Sequence, residues 1–464
     1  MRRIFFVILM LAAVIYNVDA RKIKGSVKCD SESLEDVIVT DGYNFTTTRA
    51  NGTFSFEIDD SAEYVYIVTP SGYVADWSSG VPAFYQRISD KKRYDFNLQR
   101  MSGGKDYHII AVSDPQTHSD SQFEEFAAAP LADMTQTAKA LKGDVIGLVL
   151  GDISWDRIEV LDMYKERIVD VGVPFYPVVG NHDNEAYVEG DKEASATYRK
   201  KMGPENYAFY IGNEVVIVLD NIIYNTGFKC GVGYTDDIIR WVRGLLQLLP
   251  SDIGLYVARH APIGHEGSDT VNEPELLAML EGHKVNFLAG HTHVNRNRQI
   301  SEDIYEHNVA AMCGAWWDTA HCIDGTPRGY KVLSMTDGRL SWYYKPVGYD
   351  RGHIAEIVLQ DASDAHPQRI LANVWDWDPL WKVTWYEDGT YMGEMLQVTE
   401  TSPIYESEIK AVYDALGKKI PNWKRARKSN HNFAATPSSS AKTVTISIES
   451  RFGEKFTRTI TLRD

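Results

Sequence analysis

The chain predicts an α/β core of mixed β-sheets flanked by helices, with a small β-sandwich before it and a mostly-β domain after it. Two patterns and the length carry this reading. Between about residues 104 and 348, apolar runs of strand length alternate with helix-like stretches, whereas the residues on either side form short alternating runs broken by turns. At 464 residues the chain is also too long for one hydrophobic core. The expected divisions are a leader at 1–20, a β-sandwich at 21–101, the α/β core at 104–348 and a C-terminal β-rich domain at 349–464.

The leader, MRRIFFVILMLAAVIYNVDA, reads as a secretory signal because Arg2 and Arg3 precede an apolar run ending in the small-residue pattern Val18-Asp19-Ala20. The uninterrupted apolar stretch from Ile4 to Ile15 is short for a bilayer span, no cysteine follows the expected cleavage after Ala20, and no later segment looks membrane-spanning. A secreted or periplasmic location without a transmembrane segment is the expectation. Residues 21–101, with KIKGSVKC, DVIVTDG and NFTTTRANGTFSFEI, fit a sandwich in which Asn51-Gly52 supplies a tight hairpin turn. This region resembles immunoglobulin-like or transthyretin-like modules and carries no recognisable chemistry, so a spacer or docking role is expected.

In the core, YHIIAVSD and DVIGLVLGD end in aspartate and are separated by the helix-like SQFEEFAAAPLADMTQTAKAL. VPFYPVVGNHD, the hairpin-like YAFYIGNEVVIVLDN, IGLYVARHAPI and the run into AGHTH follow, with YTDDIIRWVRGLLQLL and EPELLAMLEG as helices between them. Polar residues gather just past the carboxyl ends of these strands, where open α/β sheets bind ligands. Beyond 348, HIAEIVLQD, QRILANVWDW and KTVTISIESRFGEKFTRTITL read as strands and SPIYESEIKAVYDALG as a helix.

Composition narrows the function. The net charge of −16 disfavours a nucleic-acid polymer as partner, since phosphate backbones are held by clustered cations. The one strong basic cluster, KKIPNWKRARK at 418–428, reads as a solvated face or as a dock for the acidic remainder. Four cysteines do not make a disulfide scaffold; Cys313 and Cys322 are close enough to bridge, or both are small buried apolar residues.

Five strand ends carry the chemistry: SDPQTH with Asp114, Gln116 and His118; GDISWD with Asp152 and Asp156; GNHD with Asn181, His182 and Asp183; RHAP with His260; and GHTH with His291 and His293. Each is weak alone. As a succession of oxygen and imidazole donors on the same side of a parallel-type sheet, they point to metal binding. The order D-x-H, GD, GNHD, H, GH-x-H resembles the calcineurin-like metallophosphoesterase superfamily over about residues 106–348, and the flanking modules resemble the three-part arrangement of secreted members.

The resemblance implies two divalent ions, manganese, iron or zinc, that share Asp152. Asp114, Gln116 and His293 would complete the ligand set of the first ion, and Asn181, His260 and His291 that of the second. It further implies attack by a metal-bound hydroxide on a phosphate ester, monoester or diester, with His182 as general acid oriented by Asp156. Gln116 departs from the pattern, because the usual member has histidine there. His118 is the alternative ligand, or else a second-shell or substrate-facing group. Asp183 is expected to hold a metal-ligating imidazole from behind, and Ser154 lacks a base that would make it a nucleophile.

GAWWDTAHCIDG places Trp316, Trp317, Asp318 and His321 after the last motif, as pocket walls for a sugar or base or as core. Trp375 and Trp377 suit an interdomain seam or a glycan platform. The implied partner is a phosphorylated small molecule or a glycan or lipid phosphate. The competing expectation is a catalytically weakened phosphoesterase acting as an envelope or glycan-binding protein.

Overall fold

The computed structural model describes residues 21–226, 229–265, 270–365 and 367–462; the expected signal at 1–20 lies outside them. Two sheets form the core. In the first, the strands Phe175–Val178, Asp144–Leu150 and Tyr107–Val112 run parallel, and the hairpin Gly329–Thr336 with Arg339–Pro346 extends the sheet antiparallel to Tyr107–Val112. In the second, Glu214–Val218, Leu255–Ala258, Val285–Ala289 and Ile304–Asn308 are parallel, with Tyr207–Ile211 and Arg296–Gln299 antiparallel at the edges.

The apolar runs are continuous because both faces of each central strand are covered. Along Tyr107–Val112, Ile109 and Ala111 face a cluster shared with Val216, Val257 and Phe287 of the second sheet, while Ile110 and Val112 meet Phe123, Phe126 and Met134 on the helical side. Between the sheets, the hydroxyls of Tyr107 and Tyr256 meet at 2.9 Å. The mixed sheets expected are thus two facing ones, and the motif loops are divided between them, three from the first and two from the second, rather than leaving one parallel-type sheet.

The helix expected from Ser121 onward is interrupted. Ser119 and Gln122 form a capping box on Asp120–Phe126, and Pro130 sits in a π-turn, Ala127–Leu131, before Ala132–Ala140 resumes. Proline has no N–H to give the helix ladder, and the widened turn absorbs the defect.

The N-terminal region is strand-rich and shares the core cluster through residues such as Ile23, Val27 and Phe54. Gly52 has the expected positive φ of 73°, but the turn does not close a hairpin. Phe45–Thr47 pairs with Ile38–Thr40 and Thr53–Glu57 with Lys22–Cys29, so Asn51-Gly52 passes the chain from one sheet to another. The C-terminal region packs two four-stranded sheets around Ile370, Val383, Val444 and Ile446.

Trp375 and Trp377 lie just past the strand Arg369–Val374 and not on one face of it. Trp375 is fully buried, and its carbonyl accepts from Asn295 Nδ2 at 2.8 Å. Beside it, Asp376 meets Lys331 Nζ of the core at 2.8 Å in a fully buried ion pair. This is a seam. Both Cys313 and Cys322 are buried free thiols, and among the described residues no helix is long and apolar enough to cross a membrane.

Candidate metal centre

The motif residues leave their strands in strained backbone. Thirteen described non-glycine residues have positive φ, and eight of them belong to the motif loops or the GAWWD turn: Asp114, Gln116, Asp152, Asp156, His291, His293, Trp316 and Trp317. Such conformations cost about 1–3 kcal/mol each and persist only where the surroundings impose them. Strain is thus concentrated where the expected donors lie. The motif glycines have a steric reason as well: a Cβ on Gly180 would stand 2.2 Å from Asp152 Oδ1, and one on Gly290 only 1.5 Å from Ser113 Oγ. Each lets a neighbouring loop approach a carboxylate closely.

Asp152 is the hub. Its Oδ1 accepts from the backbone N–H of His182 at 2.9 Å, its Oδ2 accepts from Gln116 Nε2 at 2.8 Å, and His260 Nε2 stands 3.3 Å from Oδ2. His260 Nε2 is also 3.1 Å from Asn181 Oδ1 and 3.1 Å from His291 Nδ1. On the other side, His293 Nε2 lies 3.6 Å from Asp114 Oδ1, while Asp114 Oδ2 accepts from the His291 N–H at 2.9 Å. Donor atoms of Asp152, His260 and His291 fall within 4.8 Å of one another.

Two features show that this donor set fits divalent cations. Asp114 is fully buried and its Oδ1 has no hydrogen-bond partner, an expensive arrangement for a carboxylate unless a positive charge meets it. His291, moreover, turns both ring nitrogens toward other imidazoles, Nδ1 to His260 and Nε2 to His265 at 3.3 Å. Mixed imidazole, carboxylate and amide donors suit manganese, iron or zinc.

The metal-free electrostatics follow from burial and the shared carboxylate. Burial raises the Asp114 carboxyl against the pull of His293 and His260. For Asp152 burial is overcome by His260 and His182, which hold it well below the usual carboxylate range. Burial also opposes the charged form of His182, yet Asp152 and Asp156 outweigh it and lift the imidazole to about 9. His291 and His293 are pushed down by burial.

His182 Nδ1 lies 2.8 Å from Asp156 Oδ1, with both side chains less than a quarter exposed. The Ser154 hydroxyl donates to the His182 carbonyl at 2.7 Å, a structural bond for a residue read as no nucleophile. Asp183 departs from expectation. It accepts from the backbone N–H groups of Ile153, Ser154 and Gly180 and supports no imidazole. The rings are held by main-chain carbonyls instead: His260 Nδ1 by Leu150 at 2.7 Å and His293 Nδ1 by Gly314 at 3.2 Å.

Gln116 reaches the hub with its amide nitrogen, while its oxygen lies 3.8 Å from Cys313 Sγ. His118 is exposed and turns away, with Nδ1 2.7 Å from the Trp155 carbonyl. Trp317 Nε1 donates to the carbonyls of Pro115 and Gln116, both at 3.1 Å, and Trp316 stacks on His293 at 4.1 Å. These tryptophans brace the centre rather than stand free. Asp318 accepts from Lys424 Nζ and, at 3.1 Å, from the Tyr413 hydroxyl.

Three neighbours were not expected from the sequence. His265 belongs to no motif and sits five residues past His260, a spacing that alone signals nothing. Cys313 borders Gln116 and, at 3.9 Å, His293. Lys424 is the exception within the basic cluster, whose other cations are exposed: its side chain is 8% exposed and docks on Asp318 of the GAWWD turn.

Sequence models of calcineurin-like phosphoesterases match most of the chain: the N-terminal part over residues 21–101, the phosphoesterase itself over 107–295 and the C-terminal part over 306–456. The chain belongs to the calcineurin-like phosphoesterases and is a phosphoric ester hydrolase. The C-terminal match begins at 306, inside the region assigned above to the core.

No curated protein matches the chain. Likeness to solved structures is weak. A dimetal phosphatase from Danio rerio is 13% identical with a TM-score of 0.37, covering 52% of this chain and 97% of that one. A 5'-nucleotidase from Candida albicans is 12% identical with a TM-score of 0.32, covering 53% and 51%. A cold-active protein-tyrosine phosphatase from a Shewanella species is 12% identical with a TM-score of 0.25, covering 78% and 99%.

Proposed function

We infer that the protein hydrolyses phosphate esters of small molecules at a centre of two divalent cations. Asp114, Gln116 and His293 would hold one, Asn181, His260 and His291 the other, and Asp152 would lie between them. The observation that carries this reading is the convergence of these side chains from five loops on Asp152, beside a buried Asp114 oxygen that has no hydrogen-bond partner. When bound, such a pair supplies Lewis acidity and lets water act as a nucleophile near neutral pH. A neutral imidazole is required of every histidine ligand, and the carbonyls of Leu150 and Gly314 each fix which nitrogen of His260 and His293 carries the proton.

His182 does the work at the leaving group. Its Nδ1 is held by Asp156, so Nε2 is the nitrogen left to give a proton to the departing oxygen. Gln116 presents its oxygen to a cation after a half-turn of its amide, and Asp183 keeps the Asp152 loop and Gly180 together through three N–H bonds. The leader read at 1–20 supports action outside the cytoplasm.

The test combines metal analysis with p-nitrophenyl phosphate and bis-p-nitrophenyl phosphate. About two bound ions per chain after growth with manganese, iron and zinc, and turnover abolished by chelator, are expected. Robust turnover in chelator with no bound ion sinks the reading.

A further inference from the structure

One cation beside the centre comes from the C-terminal region. Lys424 closes the 3-10 turn Asn422–Lys424, which follows the helix Pro403–Leu416. The Tyr405 hydroxyl fixes this turn by donating to the Lys424 carbonyl at 2.7 Å, and Tyr405, Ile409 and Tyr413 pack beneath the GAWWD turn against Ala315 and Ile323. The ammonium stands 6.0 Å from the ring of Trp155, 5.9 Å from Trp316 and 6.0 Å from Tyr413. It thereby touches both flanks of the site, since Trp316 stacks on His293 and Trp155 precedes Asp156.

Burying a lysine is costly unless its charge is matched, and here the match is partial. The ammonium donates to Asp318, which also accepts from the Tyr413 hydroxyl at 3.1 Å, and the Asp318 side chain is 27% exposed. Trp155 and Trp316 are both half-buried. A donor, an acceptor and two partly open indoles thus gather beside the residue that orients His182. Lys424 thus spans from Trp155, next to the Asp156 that holds His182, to Trp316, which stacks on His293, so these side chains border the centre along the flank that joins the general acid to His293.

We propose that Lys424 and Asp318, with Trp155 and Trp316, form the leaving-group subsite, and that it selects a polyhydroxylated alcohol, making sugar phosphates the substrate class. The inference rests on the metal-centre reading above. The Asp318–Lys424 pair has no net charge and offers both an acceptor and donors, which is what vicinal hydroxyls require. A second anionic group on the leaving side would meet the Asp318 carboxylate. A flat base would need open ring faces, yet one face of Trp316 is covered by His293, and the ammonium stands close to both indoles. Sites built to hydrogen-bond a substrate hydroxyl discriminate strongly against analogues that lack it.

The manganese-loaded full chain is assayed on glucose 6-phosphate, n-butyl phosphate and AMP. Glucose 6-phosphate should exceed butyl phosphate in kcat/KM by about tenfold or more, Lys424→Met should cut that ratio mainly through KM, and Lys424→Arg should restore part of it. Because Lys424→Met strands the Asp318 charge, the double variant Asp318→Asn/Lys424→Met is measured beside it and should lose the preference too. Preference for AMP, equal turnover of glucose 6-phosphate and butyl phosphate, or a double variant that keeps the wild-type ratio overturns the proposal. Failure of the wild type to show chelator-sensitive turnover of any ester overturns the metal-centre reading instead.

Discussion

Across Asp152 the two sides of the centre are built from similar donors but stand differently toward water. Asp114, Gln116 and His293 are at most 2% exposed, whereas on the opposite side His260 is fully buried but Asn181 and His291 are half-buried, and His291 borders a further imidazole, His265. Trp316 seals the closed side by stacking on His293, and Trp317 ties down the Pro115-Gln116 backbone. On the reading proposed above, the more exposed side, with His182 beside it, would be the one that water reaches first.

Asp152 belongs to both sides, so its loss should erase the contrast altogether. Asp152→Asn is expected to lower kcat/KM by about three orders of magnitude or more and to leave fewer than two ions bound, measured by steady-state kinetics and metal analysis. His182→Ala tests the open side alone. It should keep the metal content and lose about 100-fold or more on alkyl phosphates, with a smaller loss on p-nitrophenyl phosphate, whose leaving group needs no proton. An equal loss on both substrates would remove His182 from the acid role.

Gln116→His probes the closed side. An imidazole in place of the amide should tighten the ion on that side by about tenfold in calorimetric titration with manganese. A smaller effect concerns pH in chelator-treated protein. His182 has its folded pKa raised to about 9 from an ordinary 6.5, so its contribution to stability is complete below pH about 6.5 and fades as pH rises through about 9. Melting temperature should accordingly fall by a few degrees over that interval in the wild type, and by less in His182→Ala.

Much of this was legible in the sequence. The donors announced themselves because each motif follows an apolar run, and Asp152, Asn181 and His291 also sit beside a glycine that the close approach of loops demands, as Gly180 and Gly290 illustrate. What escaped notice is tertiary. Lys424 lies about 270 residues from Trp155, and no local pattern says that one lysine in KKIPNWKRARK is buried while its neighbours stay wet. His265 follows RHAP with no periodicity to mark it. Asp183 misled because second-shell carboxylates commonly hold imidazoles, whereas here three unpaired backbone donors had the stronger call on it. The division of the strand ends between two sheets was hidden too, since parallel strands read alike whichever sheet they join.

The bonds of Asp183 to Ile153, Ser154 and Gly180 weld two strand exits into one piece. Neither loop can therefore be lengthened, shortened or exchanged by itself: an insertion after Asp152 drags Asn181 with it. Any attempt to transplant a new specificity into this scaffold will have to graft both segments together, or leave both alone and work from the C-terminal side.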